Sequence, residues 1–249
     1  MKKGETLMPA IEIAGLTKKY GNLMAVDSLD LMIQQGELYA LLGVNGAGKT
    51  TTIKMLSCVV RATRGDAVVG GYSITKESEK VKRVISVSPQ ETAVAPNLSV
   101  KENLELICGI YEFSKEKTGQ KIREFSERFG LDHVLQRKAG KLSGGWQRRL
   151  SIAMALIGEP QILFLDEPTL GLDVMARYEL WDAIRALKGK ITIILTTHYM
   201  EEAEALADRI GVMKSGKLVA QGTVEELNKR AGTTKFEAAF VSIVKESGV

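Results

Sequence analysis

The segment from Gly43 to Thr51 reads GVNGAGKTT and follows directly on the apolar run LYALL. A strand that runs into glycines, with a lysine and threonines opening the next segment, constrains this chain more than any other feature. Glycines let the backbone turn its amides inward into an anion nest, and a helix beginning at the lysine adds the positive end of its dipole. Gly43, Gly48, Lys49 and Thr50 match G-x-x-x-x-G-K-[ST]. On that pattern Lys49 reaches the β and γ phosphates of a nucleotide and the Thr50 hydroxyl ligates Mg²⁺. Gly43, Asn45, Gly46, Ala47, Gly48, Lys49, Thr50 and Thr51 are therefore the expected nucleotide-holding residues.

A nucleotide site needs an acid to hold the metal, and ILFLDE supplies one. Ile162 to Leu165 bury a strand whose end presents Asp166, expected to bind Mg²⁺ through water. Glu167, next along, is placed to polarise an attacking water, the general-base role of hydrolysis. The alternative is that DEPT is a plain turn in which Pro168 ends the strand. Together the two motifs describe a P-loop NTPase, a class that still includes kinases, GTPases and helicases.

Composition narrows the class only by exclusion. With 34 basic and 30 acidic residues interspersed, the net charge of +4 permits a nucleic-acid or anionic-membrane partner and demands neither. Cys58 and Cys108 form no CxxC and the histidines number 2, so neither a disulfide framework nor a zinc site is signalled, and a reducing cytosol fits. The opening MKKGETLMPAIEIAG has no apolar core behind its charges. No stretch approaches the roughly 18 uninterrupted apolar residues that would span a bilayer, so a membrane role is expected to come through a partner.

Short β-rich runs, AIEIAG, LDLMI, ELYALLG and DAVVGG, dominate up to Thr75, interrupted by the helical pattern TTIKMLSCVV. RVISVSP is a further strand, stopped by Pro89. From Ser99 to Gly130 the period changes: Leu104, Ile107, Cys108 and Tyr111 form one helical stripe, and Ile122, Phe125 and Phe129 a second. Ser99 and Glu102 make a capping box at its start. The apolar runs QILFLDEP and ITIILTTH read as buried parallel strands on either side of a helix from Val174 to Leu187. RIGVMKSGKLVAQG reads as a hairpin through Ser215 and Gly216, followed by the amphipathic stretches TVEELNKRA and KFEAAFVSIVK.

LSGGWQ, Leu142 to Gln147, stands before Asp166 and heads the helix-like run RRLSIAMALI. Here the chain resembles the ATP-binding cassette family over nearly its full length: Walker A at 43 to 50, a Gln after a strand at Gln90, LSGG, Walker B into Glu167, GLD at 171 to 173, and His198. The resemblance implies an α/β fold, a P-loop NTPase core of mostly parallel sheet flanked by helices, with an N-terminal antiparallel β subdomain and a helical insert subdomain. The expected division is a nucleotide-binding core with its β subdomain at 1–90 and 159–222, a helical subdomain at 91–158 and C-terminal helices at 223–249.

It further implies that two cassettes clamp two ATP molecules head to tail, each site using the Walker motifs of one copy and the signature of the other. Ser143, Gly144 and Gly145 open a helix, so their amides suit a second anion cradle. By resemblance Gln90 touches Mg²⁺ and the attacking water while its loop faces a transporter partner, Asp173 bridges the dimer, His198 holds the γ phosphate, and Tyr20 stacks on adenine. The alternatives are core or surface packing for His198 and plain packing for Tyr20. Trp146 replaces the usual Gln of the signature, which removes a side-chain contact across the dimer but not the amide cradle. Packing on the insert is the alternative use of Trp146. His133 has no motif around it and reads as a helix-surface residue.

The expected role is thus an ATP-hydrolysing subunit, homodimeric or heterodimeric, driving separate transmembrane permease subunits from the inner face of the cell membrane. The stretch TTHYMEEAEALADRIGVMKSGKLVAQGT resembles exporters of drugs, antibiotics, lipids and polysaccharides, in a prokaryotic arrangement with a separate permease. The alternative is a soluble cassette ATPase acting on ribosomes, DNA or cofactor assembly. No nucleic-acid partner is expected, because no Lys/Arg cluster with interleaved aromatics is present.

Overall fold

The computed structural model describes residues 8–248, and residues 1–7, on which the reading of the chain's opening partly rests, lie outside them. In chain order the strands are β1 (Ile11–Tyr20), β2 (Leu23–Ile33), β3 (Leu38–Leu42), β4 (Arg64–Val69), β5 (Tyr72–Ser73), β6 (Ile85–Ser88), β7 (Ile162–Asp166), β8 (Thr192–Thr197), β9 (Arg209–Lys214) and β10 (Lys217–Gly222). The helices are α1 (Lys49–Leu56), α2 (Ser78–Val84), α3 (Val100–Ile110), α4 (Lys115–Arg128), α5 (Gly144–Leu156), α6 (Val174–Arg185), α7 (Met200–Leu206), α8 (Val224–Arg230) and α9 (Phe236–Glu246).

An antiparallel sheet runs in the order β2-β1-β4-β5 and a second sheet in the order β10-β9-β3-β8-β7-β6. In the second, β6, β7, β8, β3 and β9 are all parallel, and only the edge strand β10 turns back. Its central strands β3, β7 and β8 are buried along their whole length, as parallel strands covered on both faces must be. In β3, Leu38, Ala40 and Leu42 join one hydrophobic cluster with residues of α3, α5, α6 and α9, while Tyr39 and Leu41 join another with α1 and the antiparallel sheet. The strand period of 2 thus divides the core into two layers.

The expected fold class is present, with local differences. β6 starts only at Ile85, because Arg83 and Val84 close α2, a helix that no clear apolar period announces. The helix after the glycines ends at Leu56, where Cys58 takes φ 59°, and α6 ends at Arg185 rather than Leu187. The capping box forms as read: Glu102 N donates to Ser99 Oγ (3.1 Å) and Ser99 N to Glu102 Oε2 (2.6 Å). Leu104 and Cys108 are buried, but Tyr111 is 44% exposed and lies over Gly158, outside the apolar stripe assigned to it. The β9–β10 hairpin turns through Ser215 and Gly216 at φ 48° and 82°, both left-handed, which matches the twist of the strands it joins.

Candidate active site at the strand ends

The parallel register sets the site. Leu42 pairs with Thr197, Thr196 with Asp166 and Leu165 with Ser88, so β3, β8, β7 and β6 end together. The loops leaving those ends carry GVNGAGKTT, His198, Glu167 and Gln90 respectively, at the edge where parallel sheets bind ligands. They line one cleft of about 460 Å³ together with Tyr20, from the end of β1.

The loop needs its glycines for room as well as for rotation. A Cβ on Gly43 would run into the carbonyl of Met213, and one on Gly48 into that of Ala25. Gly48 also holds φ 102° at the N-cap of α1, a conformation that side chains rarely adopt. Lys49 curls back over the loop: its Nζ donates to the carbonyls of Gly43 (2.7 Å) and Val44 (3.3 Å) and lies 3.2 Å from Glu167 Oε1. Glu167 Oε2 in turn lies 2.8 Å from His198 Nδ1. Both carboxylate oxygens of a 5% exposed glutamate are therefore engaged, one by an ammonium and one by an imidazole.

Beside this pair, Asp166 Oδ1 accepts from the hydroxyls of Thr50 (2.9 Å) and Thr196 (2.6 Å). Thr50 and Asp166 form an all-oxygen donor pair, with the Gln90 amide on the lip of the same cleft. That set fits Mg²⁺, a hard cation held by few protein oxygens alongside phosphates. Glu167 itself sits at φ 49°, a left-handed turn for a non-glycine residue, held by its N–H donating to Thr196 O (3.1 Å).

Tyr20 is 44% exposed on the rim, and Lys18 Nζ stands 4.8 Å from its ring centroid. Ser143, Gly144 and Gly145 do not line the cleft. Ser143 is the N-cap of α5 and its side chain makes no capping bond. A Cβ on Gly145 would stand 3.0 Å from Ala176 Cβ, so the glycine lets α5 meet α6 closely. Asp173 caps α6, its Oδ1 accepting from Ala176 N (2.9 Å). Trp146 packs edge-on against His133, centroids 4.8 Å apart, with the Arg149 guanidinium over its ring, so its side chain is committed to the helical insert. His133 is exposed, in a short 3-10 turn rather than an α-helix.

Three buried polar residues carry no motif, and two of them, Arg148 and Asn103, fix the loops of the site. Arg148, 4% exposed, binds the loop after β6 to the turn after β7. Asn103, fully buried, accepts from Ala95 N (2.8 Å) and donates to Ala95 O (3.1 Å) and Ser99 O (2.9 Å), fixing the far end of the Gln90 loop to α3. Glu202, fully buried in α7, accepts from Trp181 Nε1 (3.1 Å), while its Oε2 and the Thr169 hydroxyl have no hydrogen-bond partner among the described residues. Burial pushes the Glu202 carboxyl above its ordinary range, with the Trp181 indole among the donors opposing it. A polar residue inside an apolar period, as at Asn103 in VKENLELI, is the one signal that reading the sequence had for these residues.

A family model described as ABC transporter matches residues 26–170. A daunorubicin resistance ATP-binding protein of Streptomyces coeruleorubidus is 39% identical over 96% of this chain and 75% of its own length. The daunorubicin/doxorubicin resistance ATP-binding protein of Streptomyces peucetius is 43% identical over 90% of this chain and 68% of its own. Among solved structures, an ATP-binding subunit of an ABC transporter superimposes with a TM-score of 0.83 at 26% identity, covering 94% of this chain and 99% of that one. A dimeric ATP-binding cassette in a post-hydrolysis state with ADP and Pi superimposes with a TM-score of 0.77 at 26% identity, covering 86% and 98%.

Proposed function

The chain belongs to the ABC transporter family as an ATP-binding, ATP-hydrolysing domain, and from that premise we propose that two such chains close on two ATP molecules to drive a separate membrane permease in the direction of export. The observation that carries the catalytic part is the placement of Glu167, its carboxylate held between Lys49 and His198 and next to the Asp166–Thr50 pair.

In this reading the amides of Gly46 to Thr51 and the start of α1 hold the phosphates, Lys49 leaves Glu167 for the β and γ phosphates, and Tyr20 stacks on the base. Glu167 takes the proton of the attacking water, and His198 holds both that carboxylate and the γ phosphate in place. Mg²⁺, when bound at Thr50, Asp166 and Gln90, supplies neutralisation of phosphate charge. The separation of Ser143, Gly144 and Gly145 from the cleft of their own chain supports pairing, with these residues meeting the γ phosphate of the opposite chain and Asp173 beside them at the interface. The partner chain is a second copy or a related ATPase subunit.

The division into a core at 1–90 and 159–222, a helical subdomain at 91–158 and terminal helices at 223–249 belongs to the same proposal. So does attachment to the inner face of the cell membrane through the permease: among the described residues no helix is long and apolar enough to cross a bilayer. The Gln90 loop is pinned at one end by Arg148 and at the other by Asn103, which suits a segment that transmits force to a partner. The resistance proteins named above support export. The test is to tag the chain, solubilise its host membranes gently and identify what co-purifies. A multi-span membrane protein supports the reading; ribosomes, DNA or only soluble partners overturn the transport part of it.

A further inference from the structure

The ladder between β6 and β7 stops at the pair Ser88 and Leu165. Pro89 has no N–H to continue it. Beyond that point the loop carrying Gln90 and the turn carrying Glu167 have no strand pairing to hold them together, although both line the cleft. Arg148 spans the gap. Its Nη1 donates to Pro89 O (2.5 Å) and its Nη2 to Gln90 O (2.6 Å) and Glu167 O (3.4 Å). One turn further along α5, the Ser151 hydroxyl lies 3.1 Å from that of Ser88, so the same face of the helix is fixed to the end of β6 twice.

Burying a guanidinium is costly unless its donors are used, and here a planar fork meets carbonyls of two different loops at once. Burial lowers the pKa of Arg148, and the carboxylates of Asp166 and Glu202 oppose that shift. A guanidinium is charged at any physiological pH, so the contact persists. The helix that carries it is the one that opens at Ser143, Gly144 and Gly145.

We propose that Arg148 is a positioning residue for ATP hydrolysis: it sets the spacing between the Gln90 loop and the Glu167 turn, and through α5 ties that spacing to the placement of Ser143, Gly144 and Gly145. This rests on the hydrolysis reading above. Arg148 itself touches no reacting atom. A shift of α5 moves the guanidinium, and with it the backbone of both loops, so hydrolysis depends on where the signature end of the helix sits.

The test measures kcat, KM and binding of a fluorescent ATP analogue for the parent protein, Arg148→Gln and Arg148→Lys, each alone and with Gln90→Ala. Misplacement of reacting groups by about 1 Å costs on the order of 100-fold. Arg148→Gln is expected to lower kcat by roughly 10- to 100-fold with KM and analogue affinity within about 3-fold of the parent. Arg148→Lys keeps the charge but reaches one loop at a time, so it is expected not to restore kcat. In the Gln90→Ala background the cost of Arg148→Gln is expected to shrink without vanishing, because the part acting through the Gln90 loop is already lost while the Glu167 turn is still displaced. Unchanged kcat in both folded variants, a parallel fall of kcat and affinity, or fully additive losses would each overturn the proposal. A parent protein that binds the analogue and does not hydrolyse ATP overturns the underlying reading instead.

Discussion

His198 Nδ1 lies 2.8 Å from Glu167 Oε2, joining the loop after β8 to the turn after β7 at the carboxylate proposed above to activate water. Neither residue reaches the other through its own backbone neighbours. The pair exists because Thr196 and Asp166 are in register on adjacent parallel strands. Glu167→Gln and His198→Ala are each expected to lower kcat by roughly 100-fold or more while ATP binding persists, with Glu167→Gln accumulating an ATP-bound dimer. Steady-state hydrolysis and size-exclusion chromatography with ATP check this. Hydrolysis by Glu167→Gln at the parental rate would remove Glu167 as the base.

Lys49 and Glu167 form an ion pair 3.2 Å apart with side chains 5% and 6% exposed. Lys49→Ala is expected to abolish measurable ATP binding and, by leaving a buried carboxylate without its cation, to cost about 3–5 kcal/mol of stability. Combining it with Glu167→Gln is expected to recover most of the stability and none of the binding. Isothermal titration and denaturant melts separate the two effects. Unchanged affinity in Lys49→Ala would remove the phosphate-loop assignment.

Glu202 gives a pH dependence with a definite sign. Its carboxyl is raised above the ordinary value of 4.5 by burial, so the folded state holds the proton more tightly than the unfolded chain. Its contribution to stability is therefore greatest below that value and declines as pH rises from there through the folded pKa. Glu202→Gln keeps an uncharged polar group in place and lacks this decline. Melting temperatures of parent and variant are expected to diverge in favour of the variant as pH is raised from about 4.5 toward neutrality. A difference that stays constant with pH would show the carboxyl titrating normally.

Gly158 has no room for a side chain: a Cβ there would overlap the ring of Tyr111, which lies across it. Gly158→Ala is expected to destabilise the protein by about 1 kcal/mol or less, because the half-exposed Tyr111 ring can swing aside. Adding Tyr111→Ala relieves the overlap, so the double variant is expected to lose less than the sum of the two single losses. Additive losses in a double-mutant cycle would mean that the ring is not what fills the space.

What the sequence by itself determined is what its local chemistry encodes. Glycines and a lysine between a strand and a helix make an anion nest from residues that are neighbours in the chain. Ser99 and Glu102 cap a helix across one turn, and Ser215 and Gly216 close a hairpin between strands that are neighbours in the chain. The family resemblance added Gln90, His198 and Tyr20, and the structure brings all three to the cleft that the phosphate loop lines. The tertiary structure alone decided the strand order β9-β3-β8-β7-β6, which sets those loops side by side, because each of its pairings joins segments far apart in the chain. It also decided the roles of Arg148, Asn103 and Glu202. Arg148 and Asn103 bind main-chain groups, and Glu202 an indole on another helix. A backbone carbonyl has the same chemistry at every position, so nothing in the sequence marks which one a distant side chain will meet.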